Sequence, residues 1–260
     1  MSGFDTTWLD LREPADHAAR DAALLTAARE FLQAGGPSPL AVDLGSGTGS
    51  TLRAFGSDDR VRWRLVDHDP RLLEAAVSRL DGFPHVERME ADLARLDPVV
   101  LADARLVTAS ALFDLASEAL VERIADLLSE RRIGLYAALN YDGATRWEPS
   151  HDGDREMLAA FNAHQTTDKG LGRALGPEAA DALRHAFERR GYEVRVAPSP
   201  WRLGPDQRAL ETALRDGFVA AVRETGRVDG AAIEVWQRDR IDHPAACHVG
   251  HWDVLALPRG

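Results

Sequence analysis

The sequence predicts an α/β fold in which a mostly parallel sheet carries helices on both of its faces. Buried apolar runs alternate with amphipathic runs through the first half of the chain, a pattern typical of parallel sheets. A glycine-rich turn at 45–49 directly follows one apolar run. The length of 260 residues suits one large domain, or one domain with a sizeable insertion.

The first elements are placed by their periodicity and by their Pro and Gly boundaries. Glu13-Pro14 predicts the start of a helix that runs to about Gln33, where the run AGGPSP ends it. Five buried strands are then predicted, at 40–44, 63–67, 85–93, 104–110 and 132–140. Helices are predicted between them, beginning near Thr51, Pro70 and Glu118.

The pattern changes after residue 140. Residues 141–176 are polar and rich in loops, apart from one short helical stretch at 155–164. Helices are predicted later at 177–190, 205–224 and 231–238, and strands at 192–199 and 247–258. We expect a single domain over 1–260, with a helical arm at 1–36, a ligand-binding core at 37–140 and cap insertions at 141–176 and 200–246.

Composition argues against several classes of partner. The formal net charge is −11 and the arginines are scattered among acidic residues, so nucleic acid is not expected as a partner. No apolar run is long enough to cross a bilayer, and the N-terminus lacks the basic-then-apolar signal pattern. Cys247 is the only cysteine, which excludes an internal disulfide. These features predict a cytoplasmic protein without membrane contact.

The run LAVDLGSGTGSTLRAF, at 40–55, contains the strongest motif. Gly45 and Gly47 follow the strand at the carboxyl edge of the sheet, where a backbone without Cβ atoms can approach a ligand closely. The dinucleotide fingerprint G-x-G-x-x-G is not met, because Gly49 comes one position early. An acid, Asp43, precedes the first glycine by two positions.

This loop resembles the E/D-x-G-x-G-x-G loop of class I S-adenosylmethionine-dependent methyltransferases. Asp67, in LVDHDPRLLEAA, follows Gly47 at about the twenty-residue spacing of a ribose-binding carboxylate. Asp92, in MEADLARL, matches the family position that contacts the adenine amino group. The alternative role for an acid at a strand end is to cap the next helix, and we assign that role to Asp69. The resemblance covers residues 38–140 and the last strands.

The resemblance implies a Rossmann-like, seven-stranded, mostly parallel sheet with S-adenosylmethionine as cofactor and a small polar molecule as methyl acceptor. Arg12 and Arg20, in the N-terminal arm, are candidates to bind the cofactor's carboxylate. The alternative is a surface helix with an Asp16–Arg20 ion pair at i,i+4. The cofactor-binding set is then Arg12, Arg20, Asp43, Gly45, Gly47, Asp67, His68, Asp92, Leu93 and Ala109.

The departures from the family pattern limit which substrates and which catalytic metals we expect. The run at 108–117 lacks the N/D-P-P-Y/F motif of nucleic-acid methyltransferases. Catechol-type enzymes carry a metal-binding Asp after the fourth strand, where this chain has Ala109-Ser110, so no catalytic metal is expected. Asp114 is a reserve candidate for a base, or it helps Ser117 to begin the next helix.

The polar segment FNAHQTTDKGLG, at 161–172, supplies most of the candidate catalytic residues. His164 and Asp168 stand at i,i+4 and suit a base with its orienting carboxylate. Lys169 is the only lysine among 31 Lys and Arg, and we expect it to contact an anionic or carbonyl oxygen of the acceptor. Tyr141, at the end of the fifth strand, completes the set. The alternative is a hydrogen-bonded loop without a catalytic role.

Other functions remain open from the sequence. They are an NAD(P)-dependent oxidoreductase, a protein that binds S-adenosylmethionine without catalysis, and an aminopropyl transferase on the same fold. The early third glycine disfavours the first, and the absence of an evident acidic amine-binding motif disfavours the last. The sequence does not predict the oligomeric state.

Overall fold

The computed structural model describes residues 5–242 and 246–260. Helices α1 to α9 span Thr6–Ala19, Ala22–Gln33, Ser50–Phe55, Pro70–Val77, Glu118–Arg131, Asp154–Gln165, Ala179–Glu188, Arg208–Thr225 and Gly230–Asp242. Strands β1 to β8 span Leu40–Leu44, Arg62–Asp67, Val86–Glu90, Ala104–Ser110, Gly134–Glu148, Tyr192–Pro198, Trp201–Leu203 and Ala246–Pro258. Residues 1–4 of the predicted arm and 243–245 of the second predicted insertion lie outside the described residues.

The strands form one sheet in the order β3-β2-β1-β4-β5-β8-β6. Strands β1 to β5 pair in parallel, whereas β8 runs antiparallel to both β5 and β6. The mostly parallel, helix-covered sheet predicted from the sequence is confirmed. The prediction of seven strands missed β7, a three-residue strand that pairs with the first half of β8.

Burial of both faces explains why the central strands are apolar throughout. All five residues of β1 are buried, as expected for a parallel strand with helices on each side. Buried side chains of α5 and α7 pack on one face, and those of α2, α3 and α4 pack on the other. None of the described helices has the length and apolarity needed to cross a membrane.

The N-terminal arm contains two helices where one was predicted from Glu13. Helix α1 begins earlier, because the Asp5 side chain accepts a hydrogen bond from the Thr7 backbone N–H. Pro14 therefore lies inside α1 and does not begin it. The arm bends after Arg20, where the Asp21 carboxylate accepts the Leu24 N–H at 2.8 Å and caps α2.

Strand β5 runs past the predicted boundary at residue 140 and ends at Glu148. Its pairing with β8 is irregular between Tyr141 and Thr145, and this irregularity interrupts the periodicity that a longer strand would show. The extension supports a second apolar cluster together with α6, α8, α9 and β7. Its largest buried rings are Tyr141, Trp147, Trp201, Phe218 and Trp236. The stretch predicted as polar and loop-rich thus begins as a continuation of the sheet.

Candidate functional site

A cavity of about 450 Å³ opens at the carboxyl ends of β1, β2 and β4. Open α/β sheets bind their ligands at this edge. Its walls come from α1, the glycine loop, the turns after β2 and β4, the turn at Asp92, and the segment after α6. Eight of the residues singled out in the sequence line it: Arg12, Gly45, Gly47, Asp67, His68, Asp92, Leu93 and Lys169.

The glycine loop has a backbone that side chains would strain. Gly45 and Gly47 have φ values of +64° and +51°, in the left-handed region that favours glycine. A Cβ at Gly47 would lie 3.3 Å from Leu9 Cδ1, and one at Gly45 would lie 3.1 Å from Leu112 Cδ1. The loop therefore needs glycine both for its conformation and for the close approach of the two cavity walls.

Asp67, at the end of β2, connects the glycine loop to the start of α4. Its Oδ2 accepts the Gly47 N–H at 2.8 Å, and its Oδ1 accepts the Asp69 N–H at 3.0 Å. These two backbone donors fix a carboxylate that is only 5% exposed. Because a carboxylate offers about four acceptor sites, capacity remains for a ligand's hydroxyl groups.

The acids near Asp67 differ in their surroundings. Asp69 is confirmed as the cap of α4, since it accepts the Arg71 N–H at 2.9 Å. Hydrogen bonds from Arg71 lower the pKa of Asp69 to about 2. Asp92 is exposed, accepts the Ala94 N–H at 2.9 Å and also lines the cavity. His68, whose side chain is half-exposed, lines the cavity beside Asp67.

Two predicted cofactor residues lie behind the cavity wall and do not form it. Asp43 is buried, and its Oδ1 accepts the Thr108 hydroxyl at 2.7 Å. Burial raises the pKa of Asp43 to about 7. Arg20 donates from Nη2 to Ser110 Oγ at 3.1 Å, and Ser110 does line the cavity. Within the described part of the chain, Asp43 Oδ2 and the Arg20 Nε and Nη1 atoms have no hydrogen-bond partner.

Arg12 and Ala109 take different positions relative to the cavity. Arg12 lines the cavity from α1. Its Nε lies 2.9 Å from Asp16 Oδ2, and its guanidinium carbon lies 5.2 Å from the centre of the Trp201 ring. Ala109 is buried within β4, and the next residues, Ser110 and Ala111, form the wall in its place. The sequence therefore predicted the end of β4 correctly, but the residues that line the cavity there are Ser110 and Ala111 and not Ala109.

The predicted pair of His164 and Asp168 is not formed. Helix α6 ends at Gln165, so the helical i,i+4 geometry does not reach residue 168. His164 Nε2 lies 2.9 Å from Glu224 Oε2, and Asp168 instead accepts the Gly170 N–H at 2.7 Å. This correction removes the base-and-carboxylate pair expected from the spacing.

Lys169 lines the cavity, and the segment that carries it is tied to the residues after β4. The Ser117 N–H donates to the Leu171 carbonyl at 3.2 Å, and the Leu175 N–H donates to the Ala116 carbonyl at 2.8 Å. The Gly176 N–H donates to the Asp114 carbonyl at 2.9 Å. The first predicted cap insertion therefore closes one side of the cavity through backbone hydrogen bonds.

Tyr141 lies in the aromatic cluster of the extension and does not line the cavity. Its hydroxyl donates to Asn162 Oδ1 at 2.8 Å, and burial raises the pKa of the phenol. A phenol in these surroundings is a hydrogen-bond donor and is not suited to act as a base.

Asp114 is the site residue that sequence reasoning left in reserve. Its neighbours Leu112 and Leu115 line the cavity, and burial raises the pKa of the Asp114 carboxyl to about 6. Its Oδ1 has no hydrogen-bond partner among residues 5–242 and 246–260. Ser117 alone caps α5 by accepting the Leu120 N–H, so helix capping does not account for Asp114.

Some cavity residues were missed altogether. They are apolar or small side chains on α1, on α4, at the end of β4 and just after it: Leu9, Leu72, Ser110, Ala111, Leu112 and Leu115. In the sequence, only their positions just beyond strand ends or next to a motif indicated that they would line the cavity. No three His, Cys, Asp or Glu side chains in the described part of the chain are grouped so that they could hold a metal ion.

The sheet order, the reversed strand β8 and the cavity above the glycine loop define the class of fold. It is a Rossmann-like α/β fold, which the chain shares with two solved structures. The YcgJ protein from Bacillus subtilis matches with a TM-score of 0.52 and 13% identity, over 92% of this chain and all of that one. A structure named "putative methyltransferase", from Bacillus halodurans, matches with a TM-score of 0.50 and 11% identity, over 89% and 97% of the two chains. No family model and no curated protein sequence matches the chain.

Proposed function

We propose that the protein binds S-adenosylmethionine in this cavity and transfers its methyl group to a small molecule. The contact that carries the proposal is the Gly47 N–H···Asp67 hydrogen bond at the cavity wall. It holds a carboxylate where the ribose hydroxyls of a nucleoside can donate to it, beside a loop that only glycine fits. Asp92, Leu93 and His68 then surround the adenine.

The unpartnered atoms behind the wall fit the amino acid end of the same cofactor. Arg20 carries two buried nitrogens without partners in the described part of the chain, and these suit a carboxylate. Asp43 carries one such oxygen, which suits an ammonium group. A buried polar atom without a partner is costly, so a ligand that satisfies these atoms gains affinity. Arg12 serves as the second cation near the carboxylate.

The topology favours this cofactor over a nicotinamide dinucleotide. Dinucleotide-binding sheets follow the order 3-2-1-4-5-6. Here the antiparallel strand β8 stands between β5 and β6. The glycine spacing departs from the dinucleotide fingerprint as well.

For methyl transfer, the protein chiefly has to align the methyl donor with the acceptor. S-adenosylmethionine, when bound, supplies an electrophilic methyl group on sulfur. The walls from α1 and from the Lys169 segment would hold the acceptor in line and exclude water, and orientation of this kind is worth roughly 7–11 kcal/mol of the barrier. Where the acceptor has to lose a proton, we assign that proton to Asp114 and not to His164.

Calorimetry with S-adenosylhomocysteine and with NAD tests the proposal. We expect the first ligand to bind and Asp67→Asn to weaken its binding by about 1–3 kcal/mol, because the variant leaves hydroxyl donors without a carboxylate. Asp69→Asn is the matched control, since Asn also caps helices and residue 69 does not line the cavity. Binding of NAD alone, or an affinity that Asp67→Asn leaves unchanged, would contradict the assignment.

We also propose that the transfer needs no metal ion. The position where a metal-binding Asp would follow β4 holds Ala109-Ser110. Asp142, which follows Asn140 and Tyr141 within β5, accepts the Ala144 N–H at 2.7 Å. Activity should survive EDTA, whereas loss with EDTA and recovery with magnesium would show that a metal takes part.

A further inference from the structure

Lys169 is a partly buried cation that no carboxylate neutralises. Within the described residues, no Asp or Glu oxygen lies within ion-pair distance of its Nζ. Its nearest polar contact is the His164 ring, with Nζ at 3.1 Å from Nδ1 and 3.3 Å from Nε2. Burial lowers the pKa of the Lys169 ammonium. The negative charge of Glu224, which is beyond ion-pair distance, raises that pKa by a smaller amount. Because a buried charge is costly without a partner, this ammonium suits an anionic ligand.

The loop presents Lys169 in a fixed position. The Asp168 carboxylate accepts the N–H of Gly170, two residues later. The backbone of Asp168 also forms an isolated antiparallel β-bridge with the backbone of Arg173. Two backbone hydrogen bonds hold the same segment to the residues after β4: the Leu171 carbonyl accepts the Ser117 N–H, and the Leu175 N–H donates to the Ala116 carbonyl. The backbone that carries Lys169 is therefore fixed beside the cavity, and less of the loop has to be ordered when a ligand binds.

Apolar side chains line the cavity on both sides. Leu9 and Leu112 lie against the glycine loop, whereas Leu115 and Leu171 belong to the two segments that the hydrogen bond between the Ser117 N–H and the Leu171 carbonyl joins. The other cation, Arg12, is already paired with Asp16. The cavity thus offers one uncompensated positive charge among apolar side chains, in addition to the carboxylates assigned to the nucleoside.

We propose that the cavity binds the methyl acceptor as an anion beside the Lys169 segment, with a carboxylate or phosphate group on the Lys169 ammonium and an apolar body against Leu115 and Leu171. The inference rests on the proposed function, since the cofactor must fill the remainder of the cavity. It places the acceptor among small organic acids and phosphate esters and excludes neutral and purely cationic acceptors.

The test is calorimetry on the protein saturated with S-adenosylhomocysteine, with three probes of similar shape. Benzoate and phenyl phosphate are anionic, and benzamide is neutral. We expect at least one anion to bind about tenfold more tightly than benzamide, the scale of one charge-assisted hydrogen bond. The two anions distinguish a carboxylate from a phosphate as the bound group. Lys169→Met should abolish the preference, and Lys169→Arg should keep part of it.

Arg173→Met is the matched control, because it removes one positive charge from the same loop at an exposed residue outside the cavity lining. It should leave the preference for anions unchanged. Equal affinity for the anions and benzamide, no binding by either anion, or a preference that survives in Lys169→Met would overturn the inference while the cofactor assignment stands. Failure of the wild-type protein to bind S-adenosylhomocysteine would overturn the proposed function, and this inference with it.

Discussion

At the scale of single residues, Asp114 is a candidate site residue whose surroundings do not favour stability. It lies between the cavity-lining residues Leu112 and Leu115 in the sequence, and its buried Oδ1 has no hydrogen-bond partner in the described part of the chain. The positive charge of Arg12 lowers the pKa of the Asp114 carboxyl, but by less than burial raises it. A residue whose charged form costs stability suits a functional role, since active sites hold such groups.

The pH dependence of stability follows from this burial. The pKa of Asp114 rises to about 6 in the folded chain from an ordinary value of 3.8, so between these values the folded state binds more protons than the unfolded state. The free energy of unfolding then falls as the pH rises through this window. Asp114→Asn removes the effect and should be more stable than the wild type by about 1–3 kcal/mol near pH 8, but not near pH 4.

Urea unfolding of both proteins at the two pH values measures this difference. Equal stabilities at the higher pH would show that the ionised carboxylate is solvated or paired, and would weaken the case for Asp114 as a base.

At the scale of elements, helix α1 is joined to the cap extension by one carboxylate. Asp16 pairs with Arg12 and also accepts the Trp201 Nε1–H at 2.9 Å, so it joins α1 to β7. Helix α1 in turn places Leu9 and Arg12 in the cavity wall. The position of this wall therefore depends on a contact between residues that are far apart in the sequence.

Asp16→Ala should destabilise the protein by about 3–5 kcal/mol, because it leaves the buried part of Arg12 and the Trp201 N–H without their partner. Asp10 is on the same helix as Asp16, and its ion pair with Arg79 is exposed, so Asp10→Ala should cost at most about 1 kcal/mol. Urea unfolding measures both variants. Similar losses for the two would show that the contact with β7 does not hold α1 in place.

At the end of α5, glycine substitutions at two neighbouring residues should have opposite effects on stability. Arg132 ends the helix with φ of +54°, a left-handed conformation that glycine adopts without steric cost. Arg132→Gly should therefore stabilise the protein by up to about 1 kcal/mol, although it removes a hydrogen bond to the Arg259 carbonyl. Arg131→Gly, within the helix, should destabilise it by about 1 kcal/mol. Thermal unfolding compares them, and destabilisation by both would show that the lost hydrogen bond outweighs the relief of strain.

At the scale of the whole molecule, local patterns predicted the half of the sheet whose carboxyl ends form the cavity. Strands β1 and β2 and the glycine loop follow from short apolar runs and from backbone geometry that only glycine adopts. The limit was reached where distant segments decide the structure. β5 extends because β8, more than a hundred residues later, pairs with it, and His164 turns to Glu224 because α8 packs against α6.

The same limit applies to the site. Asp67 and Asp92 stand at strand ends, so their spacing alone places them at one edge of the sheet. The i,i+4 spacing of His164 and Asp168 was misleading, since nothing local indicated that α6 ends at Gln165. The burial of Asp114 Oδ1 depends on the packing of other segments around it, which the periodicity of the sequence does not predict.

A crystal structure of the protein with S-adenosylhomocysteine tests the central claim most directly. We predict that the ribose hydroxyls donate to Asp67, that the adenine lies beside Asp92 and Leu93, and that the homocysteine carboxylate reaches the nitrogens of Arg20 or Arg12. An empty cavity at saturating ligand, or a nucleoside bound away from the Gly47–Asp67 contact, would contradict the account.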